Sequence, residues 1–261
     1  MASSRPVAVV TGSSSGVGAA TARQLSERGW NLVINYNSRA AEAERIADAC
    51  RSHDGAEAVV VQADVGRDAD CQRLVEAAGQ SWGRLDALVN NAGTTVFNSH
   101  ANLAGLSDED FIRIYRTNLI GPYQMIRAAE ELLRQSADPS VVNVASIAGV
   151  SGIGSSVAYA ASKGALVVMT RSLARALGPI RINAVCPGFI EGEWLMQGLG
   201  EQAYEGTRQA IERSAPLGRV STPDSVARTI VGLIESAPDV TGESLILDGG
   251  AHLGGPVVRR D

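Results

Sequence analysis

Histidine, cysteine and aromatic side chains are what this sequence has least of, and each scarcity removes a class of chemistry. Its three histidines, His53, His100 and His252, stand apart in 261 residues and never at metal-ligand spacing. A metal-dependent hydrolase is therefore disfavoured, and no metal site is expected. The three cysteines, Cys50, Cys71 and Cys186, lack the C-x-x-C spacing of a zinc or redox site and read as free thiols in a reducing compartment. No apolar stretch approaches the ~20 residues of a membrane span. The first apolar run, residues 7–10, is too short for a signal-peptide core. The expectation is a cytoplasmic protein with no membrane partner. Basic residues are not gathered anywhere, and 23 Lys and Arg against 28 Asp and Glu leave a net charge of -5. Such a surface offers no footprint for nucleic acid. Pro/Ser-rich linkers, charge runs and internal repeats are missing too, so one domain over residues 1–261 is expected.

What is there is an alternation. Short runs rich in Val, Ile and Leu at residues 7–10, 32–34, 58–61, 87–89, 141–144, 182–185 and 245–247 are strand candidates. Each is apolar at successive positions, as a strand buried on both faces requires. Between them, residues 18–28, 39–53, 68–82, 108–134, 158–178 and 223–236 carry apolar residues at helical spacing, and Gly29, Gly55 and Gly83 punctuate helix ends. Strands separated by helices predict an α/β, single-domain Rossmann fold: a doubly wound seven-stranded parallel sheet with helices on both faces. Residues 191–206, with four glycines and no clear period, read as a mobile flap over a site, extending over about 190–215.

The first strand runs into Thr11-Gly12-Ser13-Ser14-Ser15-Gly16-Val17-Gly18 and then a helix. Glycines let a backbone approach a pyrophosphate, and a helix N-terminus supplies free N–H groups and positive dipole charge, so a dinucleotide is expected here. An acid at the end of the second strand would bind the 2′-hydroxyl of NAD. This strand ends instead in Asn35-Tyr36-Asn37-Ser38-Arg39, with a guanidinium suited to a 2′-phosphate. NADP(H) is therefore the expected cofactor, with NAD(H) kept open.

At the carboxyl ends of later strands stand Asn90-Asn91-Ala92-Gly93, then Ser146, then Tyr159 and Lys163 four apart on one helical face. Ketone reduction needs a hydride at carbon and a proton at oxygen. A nearby ammonium and an oxidised nicotinamide would make a tyrosine acidic enough for that exchange, and a serine hydroxyl would steady the oxygen.

In order and spacing these motifs resemble the short-chain dehydrogenase/reductase family: T-G-x-x-x-G-x-G, N-N-A-G, an Asn at Asn118, Ser146, Y-x-x-x-K at Tyr159 and Lys163, and a P-G turn at Pro187-Gly188. The resemblance spans residues 7–250. Within the family the T-G loop, Asn35-Tyr36 and Pro187-Gly188-Phe189-Ile190 look most like 3-oxoacyl-[acyl-carrier-protein] reductases. The resemblance implies Asn118, Ser146, Tyr159 and Lys163 as catalytic residues, with Asn118 holding a water in a relay to the lysine. It implies cofactor contacts from Gly12, Ser14, Ser15, Gly16, Val17, Gly18, Asn37, Arg39, Asp64, Val65, Asn91, Ala92, Gly93, Tyr159, Lys163, Pro187, Gly188 and Ile190. Two departures stand out. Ser15 occupies a position that is often Arg in NADP-preferring members, and Gly192 stands where many members carry a carboxamide-binding Thr. The implied activity is hydride transfer between NADP(H) and a carbonyl or secondary alcohol, and the implied assembly is a homotetramer. Expected walls from residues 94–96 and 149–153, Val157, Phe189, Trp194, Leu195 and Met196 are mostly apolar and favour a neutral substrate. An NAD-dependent alcohol dehydrogenase of the same family, or an NADP(H)-binding sensor without turnover, are the competing readings.

Overall fold

The computed structural model describes residues 5–254; residues 1–4 and 255–261, which the one-domain expectation includes, lie outside the described residues. Strand β1 (Val7–Val10) is buried along its whole length, and its alternating side chains serve two different cores. Ala8 and Val10 pack with Val17, Ala22 and Leu25 of helix α1 (Gly16–Ser26), whereas Val7 and Val9 pack with Leu74 and Val75 of α3 (Asp68–Trp82). Strand residues point alternately to opposite faces, so a strand apolar at every position needs a helical layer on each side.

The remaining strands, β2 (Asn31–Tyr36), β3 (Ala58–Gln62), β4 (Ala87–Asn90), β5 (Ser140–Val144), β6 (Arg181–Pro187) and β7 (Ser244–Leu247), join β1 in one sheet. Its order is β3-β2-β1-β4-β5-β6-β7, every pairing parallel, as the sequence predicts. The order reverses between β1 and β4, which opens a crevice at their carboxyl ends where ligands of open α/β sheets bind. Helices α1, α2 (Ala40–Arg51) and α10 (Pro223–Glu235) cover one face; α3 and α5 (Gly121–Leu133) pack on the other. The glycines expected at helix ends all adopt left-handed backbone, Gly29 at φ 83, Gly55 at φ 67 and Gly83 at φ 68.

Two predicted elements are corrected. Residues 108–134 form no uniform helix: α4 (Asp108–Tyr115) passes through a π-turn at Arg116–Ile120 into α5. The flap is not irregular either; it contains α8 (Glu193–Leu199) and α9 (Glu201–Ser214), broken at Gly200 with φ 78. Neither helix has a buried residue, and Gly198, Gly200 and Gly206 interrupt the segment's pattern, which is why no helix is read there from the sequence. A short α6 (Ala148–Ser151) and the long α7 (Val157–Ala176) follow β5. The three cysteines are unpaired and buried, Cys50 in α2, Cys71 in α3 and Cys186 in β6. Among the described residues no cluster of His, Cys, Asp and Glu could hold a metal, and no helix is long and apolar enough to cross a membrane.

Candidate active site

The glycine turn after β1 is braced from two sides. Asn35, buried near the end of β2, accepts the Gly12 N–H at 2.8 Å and gives its own N–H to Ser13 Oγ at 2.9 Å, while its amide donates to the Ala63 carbonyl at 3.1 Å. From β4, the Asn91 amide donates to the carbonyls of Thr11 (2.9 Å) and Gly12 (3.1 Å), and Thr11 Oγ1 accepts the N–H groups of Asn91 and Ala92. Gly18 is obligatory here: a Cβ would stand 2.5 Å from Asn91 Nδ2 and 2.6 Å from the Gly12 carbonyl. Gly16, by contrast, is exposed with open space beside it and φ 54, and Ser15 precedes α1 without spending its hydroxyl on a cap. Val17 is buried and anchors the first turn of α1 to the core.

Asn37 and Arg39 lie exposed where β2 gives way to α2, with Arg39 at the helix N-cap and in no ion pair among the described residues. Asp64 closes a turn by accepting the Gly66 N–H at 2.9 Å, with Arg67 4.0 Å from its other oxygen. Val65 beside it is buried against Gly121.

Asn118 sits in the π-turn with no exposed surface. Its amide donates to the Thr94 carbonyl (2.9 Å) and to Ser162 Oγ (3.1 Å), and its oxygen accepts the Thr94 N–H (2.8 Å). A Cβ on Gly93 would lie 3.6 Å from Asn118 Oδ1 and 3.7 Å from Lys163 Nζ, so a bare backbone at Gly93 separates the two.

Ser146 follows β5, and its Oγ accepts the Ala148 N–H at 3.1 Å, which leaves the hydroxyl proton to give. The N-cap of α7, Ser156, accepts the Tyr159 N–H at 3.2 Å and so fixes the turn that carries Tyr159. Lys163, one turn on, is buried and donates to the Val144 carbonyl at 2.7 Å, with Nζ 5.7 Å from the centre of the Tyr159 ring. The sequence expects a phenol made acidic by that ammonium and an oxidised nicotinamide together. Without the nucleotide, desolvation pushes Tyr159 up to about 12, against a smaller opposite pull from its hydrogen bond with Ser146. The same desolvation brings Lys163 down to about 8. Between neutrality and pH 8 the pocket thus holds a protonated phenol, a serine hydroxyl and a charged lysine whose proton is loosely held.

Comparison with known proteins places this arrangement. A family model described as "Enoyl-(Acyl carrier protein) reductase" matches residues 12–252. A Streptomyces violaceoruber protein assigned as ketoacyl reductase 2 of the granaticin polyketide synthase is 42% identical over 95% of this chain and 96% of its own. The 3-oxoacyl-[acyl-carrier-protein] reductase of Bos taurus is 35% identical over 95% and 98%. A crystal structure from Burkholderia xenovorans, assigned as a short-chain dehydrogenase/reductase, is 44% identical and covers 97% of this chain and all of its own at a TM-score of 0.88. The chain belongs to the short-chain dehydrogenase/reductase family. It is a ketone-reducing oxidoreductase of the 3-oxoacyl-acyl-carrier-protein-reductase-like kind, and its cofactor is a nicotinamide nucleotide.

In this dehydrogenase/reductase the crevice fits such a nucleotide. The Gly12-to-Gly18 cradle has no room for a side chain at Gly18, and the exposed N-terminus of α1 faces outward from it. After β6, Gly188 packs so closely that a Cβ would meet Asp248 Cβ at 2.6 Å, which seats the Pro187-Gly188 turn on β7. Ile190 bridges Ser221, but the hydrogen bonds of that bridge use the Glu191 N–H (2.9 Å) and the Phe189 carbonyl (3.0 Å). In a parallel bridge the central residue's own N–H and carbonyl point away from the partner segment.

Several structural contributors were not singled out by the sequence reading. Asn35, Thr11 and Ser162 hold the site residues without facing the crevice themselves. Their detectable mark is polarity in buried settings, Asn35 inside an otherwise apolar strand above all, because a buried amide is kept only where it has partners.

Proposed function

We propose that this enzyme reduces a 3-oxoacyl-type ketone with NADPH, Tyr159 giving the proton to the carbonyl oxygen, Ser146 holding that oxygen, and Lys163 and Asn118 supporting the proton supply. The observation that carries the reading is the buried Tyr159 ring with the Lys163 ammonium 5.7 Å from its centre and Ser146 as its hydrogen-bond partner. The bound nucleotide supplies the hydride at the substrate carbon. The Ser146 hydroxyl, whose oxygen accepts the Ala148 N–H, is shared with the phenol and donates to the substrate oxygen as negative charge develops there. Lys163 replaces positive potential, and then a proton, beside a phenol that has given its own away. The Asn118 amide gives both its N–H groups to Thr94 and Ser162, and its oxygen, which accepts the Thr94 N–H, keeps one lone pair for a relay water. One unit over residues 1–261 performs both binding and chemistry, with residues 190–215 closing over the substrate.

The pH dependence follows from the two shifts. Lys163 is charged below about 8 and neutral above it, while the phenol keeps its proton to about 12. The kcat/KM for ketone reduction should be level below pH 8 and fall about tenfold per unit above it. A plateau reaching pH 10 in the pH–rate profile would remove Lys163 from the proton path.

For the cofactor, Arg39 is exposed and in no ion pair among the described residues, Asn37 is exposed, and no acid stands at the end of β2 to repel a 2′-phosphate. Nucleotide titrations should show NADPH binding tighter than NADH, and Arg39→Asp should cost NADPH about ten- to a hundredfold. Equal binding of both nucleotides by the wild type would instead favour the NAD-dependent alternative.

The assembly we infer is a homotetramer in a reducing, cytoplasmic setting, the latter supported by three unpaired buried thiols. Supporting the former, the π-turn, α5 and α7 expose Ile120, Tyr123 and Val168 around a groove of about 650 Å³ whose lining is almost wholly apolar, a face unlike ordinary solvated helix surface. Light scattering should give four chains for the wild type and fewer for Val168→Glu. A monomeric wild type would end this inference.

A further inference from the structure

We infer that the substrate pocket selects ketones bearing a planar, unsaturated ring a few bonds from the carbonyl, with Trp194 as the specificity-determining residue. This rests on the ketone-reductase reading above. The chain has three Trp, five Tyr and three Phe in all, yet five of these rings make three ring contacts in two groups, Phe97–Trp194–Tyr159 and Phe189–Tyr204. Trp194 stands between Phe97, edge to face at 5.8 Å, and Tyr159 at 6.0 Å; Phe189 lies 5.0 Å from Tyr204.

Core packing does not account for this gathering. α8 and α9 bury nothing, and Trp194 is 49% exposed although its ring neighbours the buried Tyr159. The positions are nonetheless held. A Cβ on Gly198 would overlap the Phe97 ring, so the glycine lets Phe97 lie against the backbone of α8. The Tyr204 hydroxyl accepts the Gly192 N–H at 3.2 Å, tying α9 to the point where the flap leaves the sheet. The mid-flap cation, Arg208, is clamped by Glu205 and Glu212 and is not available to an anionic substrate. A substrate whose oxygen meets the Tyr159 hydroxyl therefore lies beside a ring whose neighbour, at 6.0 Å, is the half-exposed indole of Trp194. Aromatic rings in offset or edge contact gain beyond simple burial, which a saturated ring of equal size does not.

The matched probes are 4-phenylbutan-2-one and 4-cyclohexylbutan-2-one, whose carbonyls are electronically alike because two methylenes insulate the ring. Turnover with NADPH is measured, and binding to the complex with oxidised nucleotide is measured by calorimetry. The phenyl ketone should be favoured about two- to tenfold in KM and Kd. Trp194→Leu, which keeps apolar bulk at an exposed position, should abolish the preference, and Trp194→Phe should restore most of it. An equal preference in wild type and Trp194→Leu, or none in the wild type, overturns the ring-selective site, and continued turnover then leaves the reductase reading standing. Ring-selective, Trp194-dependent binding without turnover of either ketone upholds the site and sinks the reductase reading.

Discussion

Tyr159→Phe should lower kcat for ketone reduction by about a hundredfold to ten-thousandfold while leaving nucleotide affinity unchanged. The substitution removes only the hydroxyl. The ring that packs beside Trp194 and beneath Gly154 stays, and so does the N-cap bond from Ser156 to the backbone at residue 159. Ser146 then loses its partner on the reacting side, and no other group hydrogen-bonded to the phenol can give a proton in its place. Because the lost hydroxyl is buried and made costly to ionise, unfolding midpoints should move by no more than the ~1 kcal/mol of one neutral hydrogen bond. Steady-state assay and nucleotide titration on the same sample separate the outcomes. Retained turnover would show that the proton comes from elsewhere; lost nucleotide binding would show that the ring, not the hydroxyl, matters.

The largest effect on stability should come from a residue far from the chemistry. Arg181 opens β6 at the amino edge of the sheet, and its buried guanidinium donates to the carbonyls of Leu233 (2.7 Å), Ile234 (2.8 Å) and Ala237 (3.1 Å), and to Asp138 at 3.0 Å. Leu233 and Ile234 lie in the last turn of α10, so two of these bonds satisfy carbonyls the helix leaves orphaned; the Ala237 carbonyl, beyond the helix, also accepts the Val240 N–H. Arg181→Met keeps the stem but strands these acceptors in a site that water does not reach, at a cost of about 3–5 kcal/mol. For a chain of this size that is a fall of roughly 10 °C in Tm. Asp138 is half exposed, so Asp138→Asn should cost under about 1 kcal/mol and serves as the control. Activity below the transition should not change in either variant. A drop of less than about 3 °C for Arg181→Met would mean that the α10 carbonyls find other donors.

Most of the fold was legible because burial on both faces writes itself into composition. A strand such as Val7–Val10 is apolar at every position, and glycines at residues 29, 55 and 83 mark places where the backbone turns left-handed. The motif residues were legible too, since Gly18, Asn91 and Gly188 occupy positions where another side chain collides or loses its bonds. What escaped were features without a buried face or without a local cause. Helices α8 and α9 bury nothing, and the glycines at 198, 200 and 206 interrupt their pattern. The π-turn at Arg116–Ile120 inserts an extra residue per turn where Asn118 must reach Thr94 and Ser162 at once, a requirement set by partners 24 and 44 residues away.

By itself, then, the sequence determined the alternating strands and helices, the parallel sheet and the spacing of phenol, ammonium and hydroxyl, because each depends on neighbours along the chain or on a residue's own size and polarity. Only the tertiary structure decided the burial of Tyr159 and Lys163, the two-sided bracing of the glycine turn by Asn35 and Asn91, and the placing of Trp194 between Phe97 and Tyr159. Those depend on desolvation and on contacts between distant segments, and neither exists until the chain has folded.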